Sequence, residues 1–208
     1  MKDWPPIHSK ESYRLYLEAD KKAYNIDGLT RIGQLTHSVW QFQRLLRKVE
    51  YYNNCKRSVF YKPYSLWLHY RFRRLSIKMG FAIPLNVFGP GLCIAHYGPL
   101  IVHGKAKIGA NCNTHNCVHI GQKVGHADTA PRIGDNVFIG AGAQILGDVE
   151  IADGIVIGAN SVVINSFLTP NITIAGAPAK KVSDKGIEEF WSDEKRVRKL
   201  TLPDEMRF

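Results

Sequence analysis

Five of the eight histidines in this chain lie in one short segment, between positions 96 and 126. An imidazole has a pKa of about 6.5, so at neutral pH it can take a proton from a hydroxyl group and act as a general base. A lone histidine is more often structural than catalytic, but five in one segment raise the odds of a catalytic one. We therefore look for proton-transfer chemistry in this segment first.

The histidine segment has no acidic residue of its own. No Asp or Glu occurs between Glu50 and Asp128. A substrate with an ammonium group would find no local counter-charge there, and burying an unpaired charge is costly. The composition of the segment therefore favours an uncharged substrate that reacts through a hydroxyl group.

The histidines interrupt a repeat with a period of six residues, in which an aliphatic residue is often followed by glycine. The repeat positions are Val102, Ile108, Thr114, Ile120, Ile133, Ile139, Ile145, Ile151, Ile157 and Val163. Small or apolar residues stand four positions later, at Cys112, Val137, Ala143, Val149, Ile155 and Ser161. Neither a helix nor an ordinary strand has this period, which is typical of a β-solenoid with flat faces and tight corners.

Two irregularities in the repeat matter for function. The interval from Ile120 to Ile133 is thirteen residues, one more than two repeats, so "GQKVGHADTAPR" is predicted to be a loop expelled from the solenoid. Such loops often carry function. Near His96 two registers compete: counting back from Val102 turns His96 inward, whereas a frame through residues 88, 94 and 100 turns it outward. We favour the second, with a two-residue adjustment near "VHGK".

The first eighty residues differ from the rest in charge and period. They contain sixteen Lys and Arg against six Asp and Glu, which gives +10 and accounts for the whole net charge.

This first segment is also predicted to be helical. Apolar residues recur at intervals of three and four residues in "SVWQFQRLLRKVEYYN", which predicts a helix with Arg44, Arg47 and Lys48 in solvent. Pro63 and Gly80 are expected to open and close a second helix. A further helical pattern runs from Ile187 to Leu200. The predicted domains are a basic helical segment 1–80, a β domain 81–182 and a helical tail 183–208.

Several classes of protein are excluded by composition. No run of about 18 apolar residues occurs, and the first residues lack the layout of a signal peptide, so we expect a cytoplasmic protein. The four cysteines have neither zinc-ribbon spacing nor the density of a disulfide scaffold, and we expect free, mostly buried thiols. Cys112 and Cys117 are interpreted as small interior or wall residues.

The sequence resembles the hexapeptide-repeat acyltransferases, which fold as left-handed parallel β-helices. The resemblance rests on "GPGLCIAHYGPLIVHGKAKIGANC", "PRIGDNVFIGAGAQILGDVEIADGIVIGANSVV" and "ITIAGAPAKKV", which together span about residues 81–183. Within that family it looks like the serine O-acetyltransferase branch, and more closely like the enzymes of capsular and exopolysaccharide synthesis. The expected fold is mainly β, with an α-helical N-terminal segment and a short C-terminal helix.

The resemblance implies direct transfer of an acetyl group from acetyl-CoA to a hydroxyl group, without a metal. His96 matches the family's catalytic histidine, and His126 on the expelled loop is the second candidate; His103 is interpreted as a structural corner residue. The implied acceptor contacts are Tyr97, Asn116, His119 and Asp128. The implied acetyl-CoA contacts are Gly121, Ala141, Gly142, Ala159, Asn160, Lys180 and Lys181. The family also implies a homotrimer with sites between subunits.

The sequence departs from the serine enzymes where they carry charged residues. The position before His96 is Ala95 instead of aspartate, and the loop ends in "DTAP" instead of "DRHP". We therefore expect a saccharide acceptor, such as a capsular or exopolysaccharide unit on a lipid carrier, with serine as the alternative acceptor. The basic charge is interpreted first as a solvated helix face; the alternative is that the basic segment holds the protein near an anionic membrane, and nucleic acid is not an expected partner. A zinc-dependent gamma-carbonic-anhydrase-like protein and a silent scaffold remain alternatives.

Overall fold

The computed structural model describes residues 4–25, 33, 37–125 and 129–192 of the 208 in the chain. Among the described residues before the sheets are the helices α1 (Lys10–Ala23), α2 (Ser38–Cys55) and α3 (Lys62–Met79), with a 3₁₀ turn at Val59–Tyr61 before α3. Ser9 caps α1 in a capping box with Ser12. Pro63 lies in the first turn of α3, and Gly80 ends that helix in the left-handed region with φ 77°. Both expectations for α3 are confirmed.

Fourteen short strands follow in the described residues. They are β1 (Phe81–Ala82), β2 (Cys93–Ile94), β3 (Leu100–Val102), β4 (Lys107–Ile108), β5 (Asn113–Thr114), β6 (Val118–Gly121), β7 (Arg132–Ile133), β8 (Phe138–Ile139), β9 (Gln144–Leu146), β10 (Glu150–Ile151), β11 (Val156–Ile157), β12 (Val162–Val163), β13 (Thr173–Gly176) and β14 (Ala179–Ser183). A helix α4 (Ile187–Ser192) comes last. The part of the predicted tail helix beyond residue 192 lies outside the described residues.

The strands form three sheets, and successive strands from β3 to β12 belong to sheets A, B and C in turn. Sheet A has the order β1-β3-β6-β9-β12, sheet B has β10-β7-β4, and sheet C has β14-β13-β11-β8-β5-β2. All pairings are parallel except that of β13 with β14. Isolated bridges at Phe88 and Phe167 extend sheet B by one position at each end. The prediction of mainly β structure with an α-helical N-terminal segment is confirmed.

The core between the sheets is built from the repeat positions. All ten residues of the six-residue frame are buried, and so are the six residues placed four positions later. Ile120, Ile139 and Ile157 have no solvent-exposed surface. Stacked aliphatic side chains of similar size bury apolar surface at every level, which contributes about 25 cal/mol for each Å² removed from water. The repeat therefore fixes which side chains face inward.

A buried ionic cluster fastens the helices to the sheets. Arg47 has no exposed surface, contrary to the prediction that it lies in solvent. Its guanidinium forms ion pairs with Asp20 at 2.8 Å and Glu50 at 3.0 Å, and it donates to the carbonyls of Phe88 and Gly89. The predicted helix is confirmed, but Asp20 lies 27 positions away in α1, so the sequence around Arg47 gives no sign of this partner.

The carboxylates of this cluster satisfy backbone groups in the first coil. Asp20 accepts hydrogen bonds from the amides of Gly91 and Leu92, both at 2.9 Å, and Glu50 accepts one from the amide of Asn86 at 2.7 Å. Buried charges need such partners, because an unpaired one would lose its hydration without compensation. The cluster therefore joins α1 and α2 to residues 86–92.

Candidate functional site

The corners that connect sheet C to sheet A stack along one edge of the molecule, here called the C–A edge. It consists of residues 95–99, 115–117, 140–142 and 158–160. Backbone hydrogen bonds join the levels: Ala95 to Thr114, His115 to Ile139, Gly142 to Asn116 and Asn160 to Ala141, at 2.8 to 3.1 Å. Side chains that are distant in sequence thus become neighbours along this edge.

The first corner of the C–A edge is longer than the others. Five residues, 95–99, separate Ile94 from Leu100, whereas three residues fill each of the corners 115–117, 140–142 and 158–160. The side chain of His96 is exposed, as the favoured register predicts. The two-residue adjustment, however, lies at the His96 corner itself and not near "VHGK", because Leu100 and Val102 both face inward.

The end of α3 supports this long corner. The amide of Gly98 donates to the carbonyl of Met79 at 3.0 Å, and the amide of Leu100 donates to the carbonyl of Gly80 at 3.1 Å. A Cβ atom added to Gly80 would lie 3.1 Å from the carbonyl carbon of Gly98, so the approach requires glycine. The C-terminal carbonyls of α3 therefore hold the corner that carries His96.

His96 has an imidazole neighbour from the next corner. The rings of His96 and His115 meet edge to face with centroids 5.4 Å apart, and His115 meets Phe138 in the same way at 5.2 Å. Partial burial lowers the pKa of His115 below its ordinary value, and the nearby His96 lowers it further. A neutral His115 beside an exposed His96 is suited to holding the second ring in place. Sequence reasoning missed His115, although its place after the repeat residue Thr114 marks it as a corner residue.

The predicted acceptor contacts are only partly brought together. Tyr97 is 73% exposed beside His96, and Asn116 packs against Gly98, where an added Cβ would lie 3.3 Å from the Cβ of Asn116. His119 lies on the outer face of sheet A, paired in register with Ile101 and Gln144. The predicted catalytic residue His126 and the predicted contact Asp128 lie outside the described residues.

Four of the predicted acetyl-CoA contacts lie on the C–A edge, and three do not. Ala141, Gly142, Ala159 and Asn160 occupy successive corners there. Gly121 ends β6, and an added Cβ would lie 2.5 Å from Nε2 of the His119 ring. Lys180 and Lys181 are exposed on β14, where Lys181 forms an ion pair with Asp184.

His103 and Cys117 both occupy corners. His103 is half-buried, and its Nδ1 accepts a hydrogen bond from the amide of Lys105 at 3.3 Å. Cys117 is exposed on the C–A edge with φ 57°, a left-handed conformation that is unusual outside glycine, asparagine and aspartate. Its position corrects the interpretation of Cys117 as an interior or wall residue, whereas Cys112 is buried as expected.

No three His, Cys, Asp or Glu side chains converge to hold a metal ion within the part of the chain that the structure describes. None of the helices found there has the length and apolar character needed to cross a membrane.

Comparison with known proteins identifies the class. The sequence pattern of the family described as "Bacterial transferase hexapeptide (six repeats)" matches residues 130–165. The fold is similar to that of soybean serine acetyltransferase, with a TM-score of 0.64 and 30% identity over 83% of this chain and 70% of that one. It is also similar to serine acetyltransferase from Brucella abortus strain S19, with a TM-score of 0.67 and 26% identity over 85% of this chain and 71% of that one. The chain belongs to the hexapeptide-repeat acyltransferases.

Within this class, the similar proteins are serine acetyltransferases. The enzyme of Escherichia coli strain K12 is 38% identical over 101 residues, which cover 48% of this chain and 36% of that protein. The enzyme of Buchnera aphidicola from Acyrthosiphon pisum is 30% identical over 138 residues, covering 65% of this chain and 49% of that protein. The chain thus spans less than half the length of these curated relatives.

These matches overturn the prediction of a saccharide acceptor. The relatives and structures named above are serine acetyltransferases, and none supports a closer likeness to the enzymes of capsular or exopolysaccharide synthesis. The saccharide acceptor was inferred from Ala95, which replaces an aspartate, and from the absence of Asp and Glu between Glu50 and Asp128. An acceptor's charge can be met by groups from distant segments or another subunit, so the composition of one segment does not decide which acceptor is bound.

Proposed function

We propose that this protein is an acetyl-CoA-dependent serine O-acetyltransferase. The observation that carries the proposal is the exposed imidazole of His96, packed against a half-buried neutral imidazole on an edge of small residues. The relatives with the same fold support the substrate, since their names assign them the acetylation of serine. A solved Brucella abortus relative with coenzyme A bound, 25% identical with a TM-score of 0.67 over 85% of this chain and 70% of that one, supports the acetyl donor.

His96 acts as the general base in this proposal. It takes the proton of the serine hydroxyl as the oxygen attacks the carbonyl carbon of the thioester. The carbon–sulfur bond then breaks, the acetyl group remains on the serine oxygen, and the thiolate of CoA takes up the proton. No acyl-enzyme is needed.

His115 is a positioning residue for His96. Its ring fills the space between His96 and Phe138, which limits the orientations that the catalytic ring can adopt. Because its pKa is lowered, His115 stays neutral when His96 becomes an imidazolium, so it adds no like charge at that moment. Fixing a base within a narrow range of orientations is a substantial part of how enzymes accelerate proton transfer.

The C–A edge provides the surface for acetyl-CoA. Ala141 and Ala159 present methyl groups at successive corners, which leaves room for an extended pantetheine arm beside the backbone. Lys180, which is exposed farther along on β14, would bind a phosphate of CoA. In the proposed assembly three chains, each folded as a left-handed parallel β-helix, meet so that a neighbouring subunit closes the groove. The neighbour would also supply groups for the charged ends of serine.

Acetyl transfer to matched acceptors tests this function. The purified protein is incubated with acetyl-CoA, and the release of CoA thiol is measured with L-serine, ethanolamine or 3-hydroxypropionate. Ethanolamine lacks the carboxylate and 3-hydroxypropionate lacks the ammonium group, so efficient turnover is expected with L-serine alone. Mass spectrometry should identify O-acetylserine as the product. Equal rates with the two truncated acceptors, or no thiol release with L-serine, would refute serine as the acceptor.

A further inference from the structure

Helix α3 carries apolar side chains on two opposite faces. The inner face packs onto the body of the protein through Leu68, Phe72, Leu75 and Met79. The outer face has a second apolar row at positions 66, 70 and 77, where Leu66 is 73% exposed, Tyr70 is 58% exposed and Ile77 is 73% exposed. Residues three and four positions apart share a helix face, so these three side chains form one stripe.

The stripe continues into the turn that precedes α3. Val59 is 62% exposed and Phe60 is 89% exposed, and Trp67 lies next to the stripe with 46% of its surface in solvent. No described residue covers these side chains. Large apolar groups left in water at this density mark an interaction surface more often than chance exposure.

The same region is strongly basic. Residues 56–78 contain seven cationic residues and no Asp or Glu: Lys56, Arg57, Lys62, Arg71, Arg73, Arg74 and Lys78. The guanidinium carbon of Arg71 lies 5.0 Å from the centre of the Trp67 ring, and that of Arg74 lies 5.9 Å from the Tyr70 ring. Cationic groups and aromatic rings are therefore in contact on this surface. We call residues 56–78 the basic-aromatic surface.

The composition of the basic-aromatic surface selects its partner. A second copy of this chain docked face to face would bring seven cations against seven others with no carboxylate between them. Nucleic acid would satisfy the cations, but it offers the aliphatic side chains of Leu66, Ile77 and Val59 nothing apolar to bury against. An anionic lipid bilayer satisfies both, because phosphate groups lie at the level of the cations and acyl chains lie just beneath.

We propose that the basic-aromatic surface binds the protein peripherally to anionic lipid bilayers. Helix α3 lies parallel to the membrane plane, with Leu66, Tyr70 and Ile77 between the headgroups. Trp67 takes the interfacial position that amphipathic aromatic side chains prefer. Binding at this surface does not rest on the proposed acetyl transfer.

Co-sedimentation with lipid vesicles tests this proposal. The full-length protein is mixed with vesicles of phosphatidylcholine alone or of phosphatidylcholine with phosphatidylglycerol. Binding is expected to the anionic vesicles, and it should weaken as salt is raised. Each cation near the surface contributes roughly five-fold to the partition coefficient, so Arg73→Glu should weaken binding at least that much. The double variant Leu66→Ser with Ile77→Ser should weaken binding about ten-fold or more, because its apolar side chains no longer insert.

Matched controls lie outside the basic-aromatic surface, on the β domain and just after β14. Leu168 is 67% exposed there, so Leu168→Ser removes a similar apolar side chain, and Lys185→Glu reverses a similar exposed charge. Neither control should change vesicle binding, and circular dichroism should show that all variants fold. The proposal is overturned if the protein does not bind anionic vesicles, or if the controls weaken binding as much as the surface variants. It is equally overturned if sedimentation velocity shows that Leu66→Ser with Ile77→Ser instead dissociates an oligomer, or if the surface binds duplex DNA more tightly than vesicles.

Discussion

Two edges of the same stack of coils share a backbone conformation but carry different side chains. The edge between sheets B and C, here called the B–C edge, repeats a left-handed residue at Gly91, Asn111, Asn136, Gly154 and Asn171. The C–A edge repeats it at Gly98, Cys117, Gly142 and Asn160. Both edges turn the chain in the same way, so differences between them reflect what the side chains are selected to do.

Polar side chains of the B–C edge bond mainly to one another and to nearby backbone, although Oδ1 of Asn111 is buried without a described hydrogen-bond partner. The amide side chain of Asn111 donates to that of Asn136 at 2.9 Å, and Asp135 accepts from the amide of Ala110 and from the indole of Trp4, both at 2.7 Å. At its first level, the Arg47 cluster binds the backbone of residues 86–92. On the C–A edge, by contrast, His96 and Tyr97 are exposed. One edge is built for stability, and the other leaves reactive groups in solvent.

Replacement of His96 should give the largest functional effect. His96→Ala removes the proposed general base from the C–A edge, so kcat for acetylation of L-serine should fall about 10² to 10⁴-fold. The side chain is exposed, so the melting temperature should change little. His103→Ala is the matched control, because it removes a histidine from a neighbouring corner and should leave kcat unchanged. Equal loss in both variants would show that His96 has no special role.

Loss of the buried guanidinium should give the largest effect on stability. Arg47→Met leaves the carboxylates of Asp20 and Glu50 buried without a cation, which should lower the free energy of unfolding by about 3–5 kcal/mol. Denaturant unfolding measures this change. Arg44→Met, on an exposed position of the same helix, should cost less than about 0.5 kcal/mol. Similar stabilities for the two variants would contradict the stabilising role of the buried ionic cluster around Arg47.

A smaller loss is expected from a left-handed asparagine of the B–C edge. Asn136 has φ 57°, so Asn136→Ala should cost about 1–2 kcal/mol of unfolding free energy. Activity per folded molecule should be unchanged, because the site lies on the other edge. Asn136→Gly should recover most of the stability, since glycine adopts this conformation freely. A fall in activity per folded molecule would contradict the assignment of a purely structural role to the B–C edge.

On the C–A edge, a substitution at the left-handed residue Cys117 is expected to increase the free energy of unfolding instead of lowering it. Cys117 has φ 57°, and Cys117→Asn places a residue that tolerates this conformation there. The free energy of unfolding should rise by up to about 1 kcal/mol. Thermal unfolding under reducing conditions measures the change. An unchanged or lower melting temperature would show that Cys117 is not strained.

The smallest effect concerns the pH dependence of stability. Burial and the proximity of His96 lower the pKa of His115 in the folded chain, so near pH 6.5 the unfolded chain binds more protons at this residue. Stability should therefore fall as the pH drops from 7 through about 6.5 toward the lower folded pKa. His115→Asn should reduce this fall, as measured by melting temperatures across that range. A steeper fall in the variant would contradict the lowered pKa.

The parts of this fold that follow local rules could be predicted from the sequence. The buried frame from Val102 to Val163 was predicted because inward-facing residues recur at a fixed interval. The two extra residues of the His96 corner were expected near "VHGK", because an insertion anywhere between Ile94 and Ile108 leaves the repeat on either side unchanged. Arg47 acquires its buried partner Asp20 from α1, so no local pattern marks it. The repeat marks His115 as a corner residue, but not as the neighbour of His96. The saccharide acceptor was wrong because one segment's composition was taken to describe a whole binding site.

The reversed strand β14 sets the length of the stack. Parallel pairing continues through sheet C until β13, where the antiparallel partner β14 occupies the exposed edge. A further coil, or the first coil of another molecule, would meet a strand that runs the wrong way and carries the exposed cations of Lys180 and Lys181. Charged edge strands oppose intermolecular sheet formation. The same short strand that is proposed to meet a phosphate thus also protects a repetitive protein from growing into a fibre.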